Sequence, residues 1–135
     1  MFMEIWLMRH AESVGQGKIL QLPDEPLSEN GLRQISEVKE GFPQGFDKVY
    51  SSNMKRAIQT AKALYSGEIE ISPLIHEKRN GELEGKEVRS IDWFEINKEP
   101  FEKRKIPGGE SLLEVVDRAK EFLKMLKSIN LNKVL

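Results

Sequence analysis

The sequence contains no cysteine and only two histidines, His10 and His76. The first absence excludes disulfides, thiolate nucleophiles and zinc–thiolate sites, and the second excludes a histidine-rich metal site. Charge of one sign is also missing: 21 Lys and Arg stand against 22 Asp and Glu. The overall balance therefore implies no polyanion-binding surface, and any anion site must be built locally. Long hydrophobic runs are absent too. The N-terminal "MFMEIWLM" is eight residues long and interrupted by Glu4, too short for a signal-peptide core or a membrane span. A cytoplasmic, soluble chain with no membrane partner is expected. Aromatic residues make up 7%, and basic residues alternate with acids, as in "NKEPFEKRK", so no stacking platform for nucleic acid is expected. Trp6 and Trp93 read instead as core or pocket-wall residues.

At 135 residues, 39% hydrophobic and 32% charged, the chain fits one domain over 1–135, burying roughly two-thirds of the surface its unfolded form exposes. Residues 3 to 8, "MEIWLM", predict a strand covered on both faces at the centre of a parallel sheet. Ser28 is placed to cap a helix carrying Leu32, Ile35, Val38 and Phe42, ended by Gly41 and Pro43. "FDKVYSS", Phe46 to Ser52, predicts a second strand ending in hydroxyls. The following "NMKRAIQTAKALY" puts Ala57, Ile58, Ala61, Leu64 and Tyr65 on one helical face. "EIEIS" alternates as a third strand, and "PLIHEKRNGELEGKEV" reads as a loop. Ser111 with Glu114 forms a capping box for the longest amphipathic helix, with Leu112, Val115, Val116, Ala119, Phe122, Leu123 and Leu126, to about Ser128. "NKVL" reads as the first residues of another strand. The order predicts an α/β fold: a mostly parallel central sheet flanked by helices.

In such a sheet, ligands bind outside the carboxyl ends of the strands. Arg9 and His10 follow the first strand; Ser51 and Ser52 close the second, with Arg56 one helical turn on. Two strand ends can thus deliver two guanidiniums and an imidazole to one place. Arginine forks hold phosphate oxygens, and a neutral imidazole attacks phosphorus if its other nitrogen is held by a fixed acceptor. The implied partner is a small phosphate ester. Glu77, in the later loop, is a candidate general acid if shielded enough to stay partly protonated, with Glu82 and Glu84 as competitors. Singly, each residue also fits a solvated surface.

The set "LMRHAES", "PLSENGLRQ", "VYSSNMKRAIQTA", "LIHEKRNGELEGK" and "PGGESLLEVVDRAKEFL", in this order, resembles the histidine phosphatase superfamily, the phosphoglycerate mutase-like group, from Ile5 to about Leu126. The resemblance implies His10 as the nucleophile that becomes phosphohistidine, Arg9 and Arg56 as binders of phosphoryl oxygens, and Glu77 as proton donor. It also implies that Ser13 supports the phosphate loop, with Gln16 where many relatives place an asparagine near the phosphate. No metal or cofactor is implied. The activity implied is phosphomonoester hydrolysis. The alternatives are a noncatalytic phospholigand-binding protein of the same fold and mutase-type phosphotransfer.

Two departures from the family pattern carry expectations. Ala11 stands where the family usually has glycine, which requires a negative φ there. The family's second catalytic histidine sits in a His-Gly pair at the end of the strand that "NKVL" would begin, and the sequence holds no histidine after His76. His76 reads as a loop or pocket-edge residue. Reduced activity is expected on this sequence, together with an incomplete sheet answered either by shortening or by a partner chain, a homodimer being one form.

Overall fold

The computed structural model describes residues 2–135. Its sheet is small and parallel. Strand β1 (Glu4–Ile5) pairs with β4 (Lys133–Val134), and β2 (Val49–Ser51) pairs with β3 (Ile69–Ile71). A parallel bridge between Lys48 and Val134 joins the two pairs in the order β1-β4-β2-β3. Main-chain bonds carry that junction: Asp47 N to Lys133 O at 2.8 Å, Leu135 N to Lys48 O at 3.1 Å and Tyr50 N to Leu135 O at 2.7 Å. The last strand thus lies between the first two.

The first strand differs from the expectation of a buried central element over residues 3 to 8. Its pairing covers only Glu4–Ile5, it forms the sheet edge, and Leu7 is 93% exposed. The final ladder bond between the two strands runs from Trp6 N to Val134 O at 2.8 Å. By contrast β2, wholly buried, lies between two strands and takes its expected place.

Helix α1 (Glu29–Lys39) starts where Ser28 Oγ accepts from Gly31 N at 3.0 Å. It ends just before Gly41 and Pro43. Ile35 is buried with Leu27 and Leu64, and Phe42 packs against them, but Leu32 and Val38 stay exposed because nothing covers that side of the helix. In α2 (Lys55–Leu64) the buried stripe is Arg56, Thr60, Ala61 and Leu64. Two polar residues therefore occupy a face expected to be apolar, and they need internal partners.

Short 3₁₀ turns at Pro73–Ile75, Gly81–Leu83 and Val88–Ser90, with the short α3 (Trp93–Ile96), break up the expected loop. Helix α4 (Leu112–Lys127) opens with the expected capping box, Glu114 N donating to Ser111 Oγ and Ser111 N to a Glu114 carboxylate oxygen. It anchors through Leu126, buried with Tyr50 and Val134, while Phe122 meets the Tyr50 ring edge-on at 5.2 Å. Truncating Leu126, 1% exposed, would cost about 2–5 kcal/mol through lost burial and an unfilled cavity. Among the described residues no helix is long and apolar enough to cross a membrane.

Candidate active site around His10

His10 lies on the stretch that leaves β1. Its Nδ1 is 2.7 Å from Ala11 O, and its Nε2 accepts from Nε of Arg56 at 3.1 Å. A guanidinium nitrogen can only donate, so Nε2 presents its lone pair and Nδ1 carries the proton that goes to Ala11 O. This is the orientation the sequence argument required: one nitrogen tied to a fixed acceptor, the other basic. The pKa of His10 is lowered first by burial and further by the positive charges of Arg56 and Arg9; the Ala11 carbonyl and Glu77 work the other way without reversing it. The balance favours the neutral imidazole.

The main chain beneath it is tethered to α2. Ala11 N donates to Thr60 Oγ1 at 3.1 Å, and Thr60 Oγ1 donates to Arg56 O at 2.8 Å. Among the described residues only glycines have positive φ, so Ala11 meets the condition set by its methyl group. Thr60 was not singled out in the sequence, although it follows Arg56 by one helical turn and so shares its face.

Arg56 is 1% exposed. Besides the imidazole, it donates through Nη1 to Leu22 O and through Nη2 to Glu77 Oε2, both at 2.8 Å. Arg56 thereby joins His10 and Glu77 into one cluster. Arg9 is exposed and lines the same cavity as His10 and Glu77. The Glu77 side chain is 56% exposed, not shielded as expected, because its loop runs along the surface.

His76 is 5% exposed, and its Nδ1 bonds back to Glu77 O. It is a loop residue that does not line the cavity. Glu82 and Glu84 do not line it either, and Glu84 accepts from Asn80 N at 2.9 Å. Ser13 is buried beside Gln21, which donates to its hydroxyl; Gln16 is exposed, and neither lines the cavity. Trp6 forms part of the cavity wall, whereas Trp93 does not.

The cavity, about 510 Å³, runs between Leu7–His10 on one side and Tyr50–Ser52 on the other, closed by Thr60 and Ala61 of α2 and by Phe122 and Leu126 of α4. Among the described residues the amides of Met8 and Ser52, which flank it, donate to no main-chain or side-chain acceptor. Its walls are mostly apolar, with Ser51, Ser52 and Thr60 as polar members besides His10, Arg9 and Glu77.

An imidazole of fixed tautomer beside two guanidiniums and a carboxylate, at the carboxyl end of a parallel sheet, suits an oxyanionic phosphorus group. The model of the histidine phosphatase superfamily (branch 1) matches residues 5–135, and the chain belongs to that superfamily. It is 31% identical over 132 residues to fructose-2,6-bisphosphatase TIGAR B of Danio rerio, covering 89% of this chain and 51% of that protein. It is 30% identical over 135 residues to the probable phosphoglycerate mutase GpmB of Serratia proteamaculans (strain 568), covering 90% of this chain and 61% of that one. The chain thus spans about half the length of the curated relatives it matches. The crystal structure of phosphoglycerate mutase from Thermus thermophilus has a TM-score of 0.75 to this fold at 29% identity, over 98% of this chain and 76% of that one.

Proposed function

We propose that the site hydrolyses small phosphate monoesters through a phosphohistidine on His10. The observation that carries this reading is the tautomer: Nδ1 is tied to Ala11 O, and Nε2 presents its lone pair to the buried Arg56, behind the cavity that His10 lines. One N–H of Arg56 occupies that lone pair. An incoming phosphoryl group, with stronger acceptor oxygens, takes over the Arg56 donors and Arg9, and frees Nε2 to attack.

As the Nε2–P bond forms and the P–O bond to the alcohol breaks, Glu77 gives its proton to the leaving oxygen. Water then loses a proton to the Glu77 carboxylate, its oxygen bonds to phosphorus, the P–N bond breaks, and phosphate departs. Incubation with a 32P-labelled monoester followed by alkaline quench tests this: an acid-labile, base-stable label is expected on the chain and none on His10→Ala. Turnover without such a label would overturn it.

A second reading is a site that binds phosphoesters without turning them over. It is favoured by His76, which is buried and turned to Glu77 O, leaving His10 as the imidazole on the cavity among the described residues. Calorimetric binding of inorganic phosphate, lost in Arg56→Met, combined with no label on His10, would favour this reading over hydrolysis.

A further inference from the structure

Glu77 stands on a surface loop, yet a general acid must be held within hydrogen-bond reach of one oxygen. The segment around it is tied down from behind by α4. Arg118, whose side chain is 19% exposed, donates through Nη1 to Leu74 O at 2.9 Å and through Nη2 to His76 O at 3.0 Å. The same guanidinium is gripped by Glu110, Nε to Oε1 and Nη2 to Oε2, both at 2.8 Å.

Glu110 in turn holds the far side of the loop. Its carboxylate accepts from Arg79 N at 3.1 Å, and its own amide donates to Arg79 O at 2.9 Å. A methyl group at Gly81 would collide with Pro107 O, and one at Gly109 with Arg79 O, so the loop and the "PGGE" turn press together backbone to backbone. Residues 74, 76 and 79 are thus fixed on both sides of Glu77, and the ion pair that fixes them does not touch His10 or Arg56.

We propose that Arg118, oriented by Glu110, is the positioning residue that sets the Glu77 carboxyl against the leaving-group oxygen. The proposal deepens the hydrolase reading above and rests on Glu77 as its acid. A fork of N–H groups is needed, because two carbonyls and a carboxylate must be satisfied by one side chain in a fixed plane; a lysine ammonium keeps the charge but loses that geometry. Arg118→Lys leaves the loop charge-balanced and loosely held.

Leaving-group dependence separates positioning from general damage. An alkyl phosphate needs a proton on its departing alkoxide, whereas a nitrophenyl phosphate leaves as a stable phenolate. In Glu77→Gln, kcat/KM for the alkyl ester should fall by about 10²–10⁴, the range of general-acid contributions, and for the nitrophenyl ester by far less. Arg118→Lys should show the same selectivity, a loss at least tenfold larger on the alkyl ester, and should add nothing on that ester in the Glu77→Gln background. Glu110→Gln, which keeps the acceptor oxygen and weakens the grip, should show a smaller selective loss, and it carries the measurement if Arg118→Lys does not fold.

Equal losses on both esters, or an undiminished effect of Arg118→Lys in the Glu77→Gln background, would overturn the positioning role and leave the acid in place. An unselective Glu77→Gln would overturn the acid itself and this inference with it, as would absence of turnover in the unsubstituted chain.

Discussion

Nε of Arg56 points at Nε2 of His10 across 3.1 Å. Both lie at a strand end, yet they reach it from different units, one behind β1 and the other from the first turn of α2, the helix after β2. This contact makes the imidazole's state a property of the whole sheet rather than of its own loop.

His10 should be neutral at pH 7 and should protonate below 6.5, its ordinary value, because burial and the guanidiniums lower it. Since the neutral form is the nucleophile, activity should persist below pH 6.5 and fall only as pH drops through the lowered value. Nitrogen-15 NMR titration of His10 should report a protonated Nδ1 and unprotonated Nε2. A midpoint at or above 6.5 would contradict that balance of burial and charge.

Arg56→Met should abolish phosphate binding, since the guanidinium is the link among His10, Leu22 O and Glu77. It leaves the Leu22 carbonyl without its donor, and should destabilise the fold by about 0.5–1.5 kcal/mol, the worth of an ordinary hydrogen bond. Urea unfolding with a parallel phosphate titration gives both readouts. Retention of phosphate affinity would remove Arg56 from the site.

Thr60→Val should loosen the Ala11 amide, which has the Thr60 hydroxyl as its acceptor. Roughly 1–2 kcal/mol of stability should be lost, with valine filling the same volume, while Thr60→Ser restores most of it. Thermal unfolding of the two variants decides this; equal behaviour of serine and valine would mean that the hydroxyl does not matter.

Acid should release the Glu110 grip. Burial acts to raise its carboxyl, but the bonds from Arg118 and the Arg79 amide outweigh it and hold the pKa below the ordinary 4.5. The folded carboxylate therefore adds stability that is fully present above pH 4.5 and is lost as pH falls through the lowered value. Urea midpoints measured from about pH 6 down to about pH 3 should fall less steeply toward acid in Glu110→Gln than in the unsubstituted chain.

What the sequence made legible was local. Ser28 and the Ser111–Glu114 pair announced their helices because a cap is defined within four residues. The Arg-His pair and Arg56 were legible because strand ends in a parallel sheet converge. Glu77 was singled out for its role, but not for its exposure, since burial depends on how a loop drapes over the fold. The placement of β1 at the edge was hidden for a similar reason: a hydrophobic run specifies burial, not which neighbour provides it, and Leu7 lies where no strand runs alongside. Ser13 and Gln16 share the loop of His10, yet Ser13 is buried in a bridge with Leu27 and Gln16 lies in the exposed turn that follows, so neither side chain lines the cavity. The Arg118 clamp was least legible, joining residues 74, 76, 79 and 110 through main-chain carbonyls and amides that leave no mark in side-chain patterning.

The cavity between β1 and β2 also divides the sheet into two kinetic regimes. Below Leu135 the amides of Glu4, Trp6 and Tyr50 are locked in ladder bonds, and they should exchange with deuterium only in rare, large-scale openings. Above it, the stretch from Leu7 to His10 has no ladder, and exchange at Met8 should be fast. His10 thus lies between the unbonded amide of Met8 and the amide of Ala11, which the Thr60 hydroxyl holds. A phosphoester held by Arg9, His10 and Arg56 should therefore slow deuterium uptake at Met8, which lines the same cavity.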